Sequence, residues 1–370
     1  MRCHHAPTST NTRLANGRPS QSGARSFRVA ALFIAFTCQT VSHLQATLNG
    51  QETEESGANG TPALTTATVQ AVVDPTRSNH PNPPEIPSMS ASGLMTPAQF
   101  LALPSKPADY RFSYGTDVNE IGELRVPSGV GPHPVVILIH GGCWRAEFST
   151  LGVMGPMADA LKARGIATWN IEYRRLPQAG SGWPGTYLDV GQGVDYLRSI
   201  AVENHLDLTR VVVVGHSAGG HLAMWVAARS RLPKVSPVYF SDPLPIRGVI
   251  DLAGTADMEA FIPLEQHGCA APVVEQMLGG KPDEVADHYA QASAIKMLPL
   301  GVPQILVWGQ RDDIAPISLG ETYTQTAKHS GDHVRLVTLP EGGHFEIASP
   351  FSATWPAVEN EILSLLEKEQ

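Results

Sequence analysis

Val211-Val212-Val213-Val214-Gly215-His216-Ser217-Ala218-Gly219 is the stretch on which the reading of this chain turns. Four successive valines signal a strand buried on both faces. The residues that follow, His221 to Arg229 with Leu222, Met224, Val226 and Ala227, predict a helix. Between them stands G-x-S-x-G, the sequence form of a nucleophile elbow. A serine at the tip of a sharp strand-to-helix turn needs neighbours without bulk, so that the backbone can take a strained conformation and the hydroxyl can stand clear of the sheet. Gly215 and Gly219 meet that demand, and Ser217 is the candidate nucleophile.

A serine hydroxyl is a weak nucleophile until a base takes its proton, so a histidine and an orienting acid are expected downstream. The run Gln304-Ile305-Leu306-Val307-Trp308-Gly309 reads as a strand, and Gln310-Arg311-Asp312-Asp313-Ile314-Ala315-Pro316 places two carboxylates on the loop that follows. Asp312 is the candidate acid, with Asp313 as the alternative. After a further strand-like run, Val334-Arg335-Leu336-Val337-Thr338-Leu339, comes Pro340-Glu341-Gly342-Gly343-His344. Of fourteen histidines, His344 is the one on a glycine-rich loop after the last strand signal, so it is the candidate base. His216 and His221 are expected to pack around the elbow.

The oxyanion that forms on an attacked carbonyl needs a pair of backbone donors. The apolar run Pro134-Val135-Val136-Ile137-Leu138-Ile139 leads into His140-Gly141-Gly142-Cys143-Trp144, where glycines let the main chain turn its N–H groups inward. The amide of Ala218 is one expected donor, and those of Gly142 and Cys143 supply the other side. Trp144 is a candidate substrate-binding wall, and His140 is expected to brace the loop. No histidines have metal-ligand spacing with a third donor, so neither a metal nor any other cofactor is expected.

From about residue 107 to 367 the chain resembles the α/β-hydrolase superfamily. The spacing Gly309-x-x-Asp312-x-x-Ala315-Pro316 is similar to that superfamily's G-x-x-D-x-x-V-P acid loop, with alanine in place of valine. His140-Gly141-Gly142-Cys143-Trp144 resembles the H-G-G-x-W motif of kynurenine formamidases and feruloyl-esterase-like bacterial hydrolases. Glu172-Tyr173-Arg174 falls where these enzymes carry a Tyr-Arg pair, read here as a tether with Arg174 bound to a nearby carboxylate. The resemblance implies a mostly parallel central sheet flanked by helices, with a small helical cap formed by residues 255–300. Within that cap Met258, Phe261, Ile262, Met277 and Leu278 either line a pocket or pack as core.

The chain has 370 residues, of which 42% are hydrophobic, enough to bury a large core in one α/β domain over residues 106–370. Residues 1–46 hold five arginines, no acid and a nine-residue apolar stretch from Val29 to Thr37, the pattern of an export signal too short to span a membrane. Residues 47–105, rich in Thr, Ser, Asn and Pro, read as a flexible spacer ending in a short helix at 96–103, with Thr96 as cap and Pro97 at its first position. Removal of the leader takes the formal charge from −9 to about −14, which disfavours nucleic acid and anionic membrane as partners. It also leaves Cys143 and Cys269, and Cys143 is expected as a free thiol at the rim of the site, a bridge between the two being the alternative.

These residues imply a serine hydrolase of small carboxylic esters that works through an acyl-enzyme, exported to the periplasm or beyond. The rival readings are an arylformamidase, a peptidase, and an inactive binding module on a hydrolase scaffold. Acyl and alcohol specificity and oligomeric state are not legible at this level.

Overall fold

The computed structural model describes residues 93–367; the leader and most of the spacer lie outside the described residues. Eight strands form one sheet: β1 (Tyr110–Ser113), β2 (Ile121–Arg125), β3 (His133–Ile139), β4 (Ala167–Ile171), β5 (Leu206–His216), β6 (Gly248–Leu252), β7 (Gln304–Gly309) and β8 (Val334–Leu339). Their order is β1-β2-β4-β3-β5-β6-β7-β8. β2 pairs antiparallel with β1 and β4, and every pairing from β4 across to β8 is parallel.

A parallel sheet needs crossover helices, and these cover its faces, so its strands carry unbroken apolar runs. Val211 to Val214 in β5 and Val135 to Ile139 in β3 are buried throughout and pair in register, Val213 against Ile137 on one side and Val249 on the other. Burying each such side chain contributes roughly 1.5–3 kcal/mol. The edge strand β1, by contrast, is largely exposed. Long helices Gly155–Ala163, Gly185–Asp195, Ala218–Ala228, Ser318–His329 and Trp355–Leu366 pack against this core. The sequence pattern starts the elbow helix at His221, but it begins three residues earlier, immediately after Ser217.

Between β6 and β7 four short helices, Met258–Phe261, Glu265–Cys269, Val274–Leu278 and Ala286–Ala292, build the cap. Asp257 caps the first by accepting the amides of Glu259 and Ala260. Glu265 is a buried staple, its Oε2 accepting the Val273 and Val274 amides at 2.8 and 2.7 Å. Met258, Met277 and Leu278 are fully buried core, whereas Phe261 reaches the space beside Ser217.

The helix Pro97–Leu101 opens on a capping box of Thr96 and Gln99 with proline in its first turn. It is not an isolated turn on a tether. Phe100 is buried against His216 and Phe345, with ring centroids 5.4 and 5.2 Å away. Glu346 then ties the segment down, accepting the Met95 amide through Oε1 and the Gly343 amide through Oε2.

Candidate active site

Parallel strands deliver their carboxyl ends to one rim of the sheet, where ligands bind in this fold class. β5 ends at His216, and Ser217 takes φ +54° and ψ −121° before the helix begins. A β-carbon there costs of order 1–3 kcal/mol in backbone strain. The two flanking glycines are needed for contact rather than for unusual φ. A β-carbon at Gly215 would fall 2.0 Å from the Gly219 carbonyl oxygen, and one at Gly219 would fall 2.1 Å from that of Ile139. The motif is therefore a steric consequence of folding a helix back onto β5 and β3.

β7 and β8 place the other two candidates. His344 Nδ1 lies 2.7 Å from Asp312 Oδ2, both side chains being buried. The second oxygen of Asp312 accepts the amides of Ile314 and Ala315, each at 2.8 Å. The carboxylate is thereby fixed on both sides, and its hold on Nδ1–H leaves Nε2 as the proton-accepting nitrogen of a neutral ring. Asp313, the alternative acid, makes no such contact with His344. Ser217 and His344 line one cleft.

His216 sits under this pair. Its Nε2–H donates to the His344 carbonyl oxygen at 2.9 Å, while its buried Nδ1 has no partner. Burial, with a smaller contribution from His344, pushes its pKa down to about 3, so it holds the His344 backbone as a neutral ring.

The glycine-rich loop 140–144 follows β3. Cys143 and Trp144 both have positive φ, +51° and +54°, and the Arg145 amide closes the turn on the Gly142 carbonyl at 2.9 Å. Gly142 itself has φ +104°, and a β-carbon there would lie 2.3 Å from Ser149 Oγ. Two successive left-handed residues with side chains persist only if the surroundings hold them. Three tethers do so. Cys143 is bonded to Cys269 of the cap, Cα to Cα 5.8 Å, which overturns the expected free thiol: the cap helix brings a second sulfur to the loop. Trp144, 1% exposed, donates its indole N–H to His221 Nδ1 at 3.1 Å. His140 presents Nε2 to Glu172 Oε1 at 2.7 Å and Nδ1 to the Gly141 carbonyl at 2.8 Å.

Two of those tethers have their own support. His221 donates Nε2–H to the Ala292 carbonyl at 3.1 Å, and burial lowers its pKa to about 4, which keeps Nδ1 free to accept. Burial would raise the Glu172 carboxyl, but His140, Arg175 and the Leu151 amide outweigh it and hold the group below its ordinary value. Tyr173 stacks on His140 and donates to its carbonyl at 2.7 Å, while Arg174 Nε binds Asp189 at 2.8 Å, so the Glu172-Tyr173-Arg174 run is a tether.

Two spaces of very different size meet at Ser217. A cleft of about 340 Å³ runs past His344 and is walled by Phe100, Phe148 and Phe345. Adjoining it at the serine is a narrow space of about 10 Å³ lined by Trp144, Ala218, Ala253 and Phe261, with Cys143, Cys269 and Ile314 forming walls common to both. Trp144 thus meets the site as a buried wall. Phe100, Phe148 and Phe345 escaped the sequence reading, since only the cap at Thr96 and the proline at 97 hinted that the first of them is ordered. Among the described residues no group of three His, Cys, Asp or Glu side chains is placed to hold a metal ion.

Comparison with known proteins follows the same outline. Esterase LipC of Mycobacterium tuberculosis is 26% identical over 245 residues, covering 63% of this chain and 59% of LipC. Esterase EstD of Thermotoga maritima is 26% identical over 206 residues, 52% of this chain and 49% of EstD. The chain therefore spans about half the length of the curated relatives it matches. The crystal structure of Esterase B from Lactobacillus rhamnosis shares the fold at a TM-score of 0.59, with 20% identity over 71% of this chain and 86% of that one. The profile of the BD-FAE family matches residues 124–326, more than half of the sequence, and the chain belongs to that family, an α/β-hydrolase.

Proposed function

We propose that this chain hydrolyses small carboxylic esters through an acyl-enzyme on Ser217. The observation that carries the reading is the 2.7 Å pair of His344 and Asp312 at the cleft onto which the strained Ser217 opens. In this mechanism His344 Nε2 takes the Ser217 proton as Oγ adds to the ester carbonyl, and Asp312 holds the ring in the required tautomer and stabilises the imidazolium. The amides of Ala218, Gly142 and Cys143 receive the oxyanion. Collapse expels the alcohol, which takes its proton from His344, and water then repeats the sequence in reverse to release the acid.

Esterase relatives support the same reaction class. The Cys143–Cys269 bond supports the export expected from the leader, because such bonds persist in oxidising compartments. Ser217→Ala tests the assignment: p-nitrophenyl acetate turnover falls by about 10⁴-fold or more with unchanged circular dichroism. Labelling by a fluorophosphonate is lost with it. Full turnover by the alanine variant would remove Ser217 from the mechanism.

A further inference from the structure

We infer that the site divides its substrate unequally about Ser217, accepting an acyl group no larger than acetyl and an alcohol with an apolar, aromatic-sized body. The inference rests on the ester-hydrolase reading and assigns its substrate class. The direction of the substrate follows from the chemistry. The imidazole that removes the Ser217 proton must return it to the leaving oxygen, so the alcohol lies on the side where His344 stands. His344 lines the large cleft and is absent from the small space, whose own walls are Ala218, Trp144, Ala253 and Phe261, Cys269 being shared by the two. The acyl carbon substituent therefore points into the small space.

That space holds about 10 Å³, room for one water-sized group. The methyl of an acetyl fits it, and each added methylene must displace a wall. The walls resist. Trp144 is pinned by its bond to His221, and Cys269 is covalently joined to the oxyanion-side loop. Ala253 is held at φ +50°, its amide bonded to the Val307 carbonyl at 3.0 Å.

The alcohol side is built for the opposite demand. Beyond the three phenylalanines it is lined by Leu101 and Val153, and its polar side chains near the rim are few. Ser149 Oγ is already spent on the Gly141 carbonyl at 2.6 Å, and Glu147 Oε1 is paired with Arg145 at 2.6 Å. A carbohydrate alcohol would lose water at its hydroxyls without replacement bonds, which disfavours it. Leu101 and Phe148 remain 51% and 40% exposed at the mouth, apolar surface that an aromatic alcohol would cover. In the acylation step the Ser217 O–C bond forms, the ester C–O bond breaks, the Oγ proton passes through His344 to the alcohol, and acetyl-Ser217 remains for hydrolysis to acetate.

The full chain is assayed on p-nitrophenyl acetate, butyrate and hexanoate, which share a leaving group, and on methyl, 2-naphthyl and xylosyl acetates, which share an acyl group. The expected kcat/KM falls by about 10⁴-fold from acetate to hexanoate, since each of the four added methylenes in a filled pocket is worth about 10-fold, and 2-naphthyl acetate is preferred over xylosyl acetate. Phe261→Ala, which widens the small space, is expected to recover hexanoate turnover by about 10-fold relative to acetate. Phe148→Ser, at a half-exposed position, is expected to raise KM for the naphthyl ester while the acyl-chain ranking stays as it was. Hexanoate turned over as well as acetate, or an acyl ranking altered by Phe148→Ser, overturns the assignment while leaving an active hydrolase. No ester turnover together with no fluorophosphonate labelling of Ser217 overturns the hydrolase reading, and this inference with it.

Discussion

Two histidines and two aspartates lie buried near the same rim of the sheet, and they are set up in opposite ways. Asp312 has two backbone amides on one oxygen and the His344 imidazole on the other. Asp251, on β6, accepts one amide, that of Gly254 at 2.7 Å, and its second oxygen has no partner. Burial raises the Asp251 carboxyl to about 7, and burial likewise drives the His216 ring to about 3. Both of those groups are pushed toward their neutral forms and act as scaffold, whereas Asp312 is held by hydrogen bonds on both oxygens and orients the His344 ring. Residue type does not separate the two sets. The number of donors that the neighbouring backbone aims at each carboxylate does.

The comparison breaks first if the two acidic residues of the β7 loop prove interchangeable. Asp312→Asn is expected to lower kcat/KM by roughly 10⁴-fold, because the amide supports the wrong tautomer of His344. Asp313→Asn is expected to change it by less than about 3-fold. Steady-state kinetics on p-nitrophenyl acetate for the two variants side by side decide it. Equal losses would mean that the geometry around Asp312 does not orient the base.

The disulfide sharpens the contrast between the elbow, which the sheet holds, and the loop after β3, which the cap holds. The bond closes a span of 126 residues, for which chain entropy alone predicts about 5 kcal/mol of stabilisation. Cys269→Ser is expected to lower Tm by roughly 10 °C. Its kcat is expected to fall by about 10-fold, as Cys143 is released from its left-handed turn. Calorimetry and kinetics under oxidising conditions measure both. A variant that loses stability but keeps kcat would show that Trp144 and His140 hold the loop unaided.

How much of this was legible beforehand depended on how local each signal is. The four valines, Gly215 and Gly219 announce the elbow because strand, turn and helix adjoin in sequence. The His344 and Asp312 loops could be ordered for the same reason, each following its own strand. The Cys143–Cys269 bond was legible only as the alternative to a free thiol, since it depends on where a helix of the cap comes to rest. Phe100 was hidden in a stretch whose composition reads as spacer. It becomes a wall of the cleft only because Phe345 and His216 present a surface to receive it. Asp251 within Val249-Ile250-Asp251-Leu252 looks like one polar residue in a strand, and only burial gives it a shifted titration.

That titration supplies the smallest effect, on stability and not on turnover. A carboxyl at about 7 in the folded chain and near 3.9 when unfolded takes up a proton on folding across the interval between those values. Stability from this group is therefore complete below pH ~4, is lost as pH rises through about 7, and changes by about 4 kcal/mol at most in total. His216 and His221, depressed to about 3 and about 4, act with the opposite sign, losing stability as pH falls below about 6.5. They are unaltered by a change at position 251 and cancel in a difference. Asp251→Asn keeps the shape and cannot ionise. Urea unfolding of the two proteins at pH 5 and pH 8 is thus expected to show the parent losing about 2 kcal/mol or more relative to the variant on going to the higher pH. Activity on p-nitrophenyl acetate at pH 7 is expected to stay within about 3-fold. Parallel stability curves would mean that Asp251 ionises as freely in the fold as in the unfolded chain, and the distinction between the two buried carboxylates would then rest on Asp312 alone.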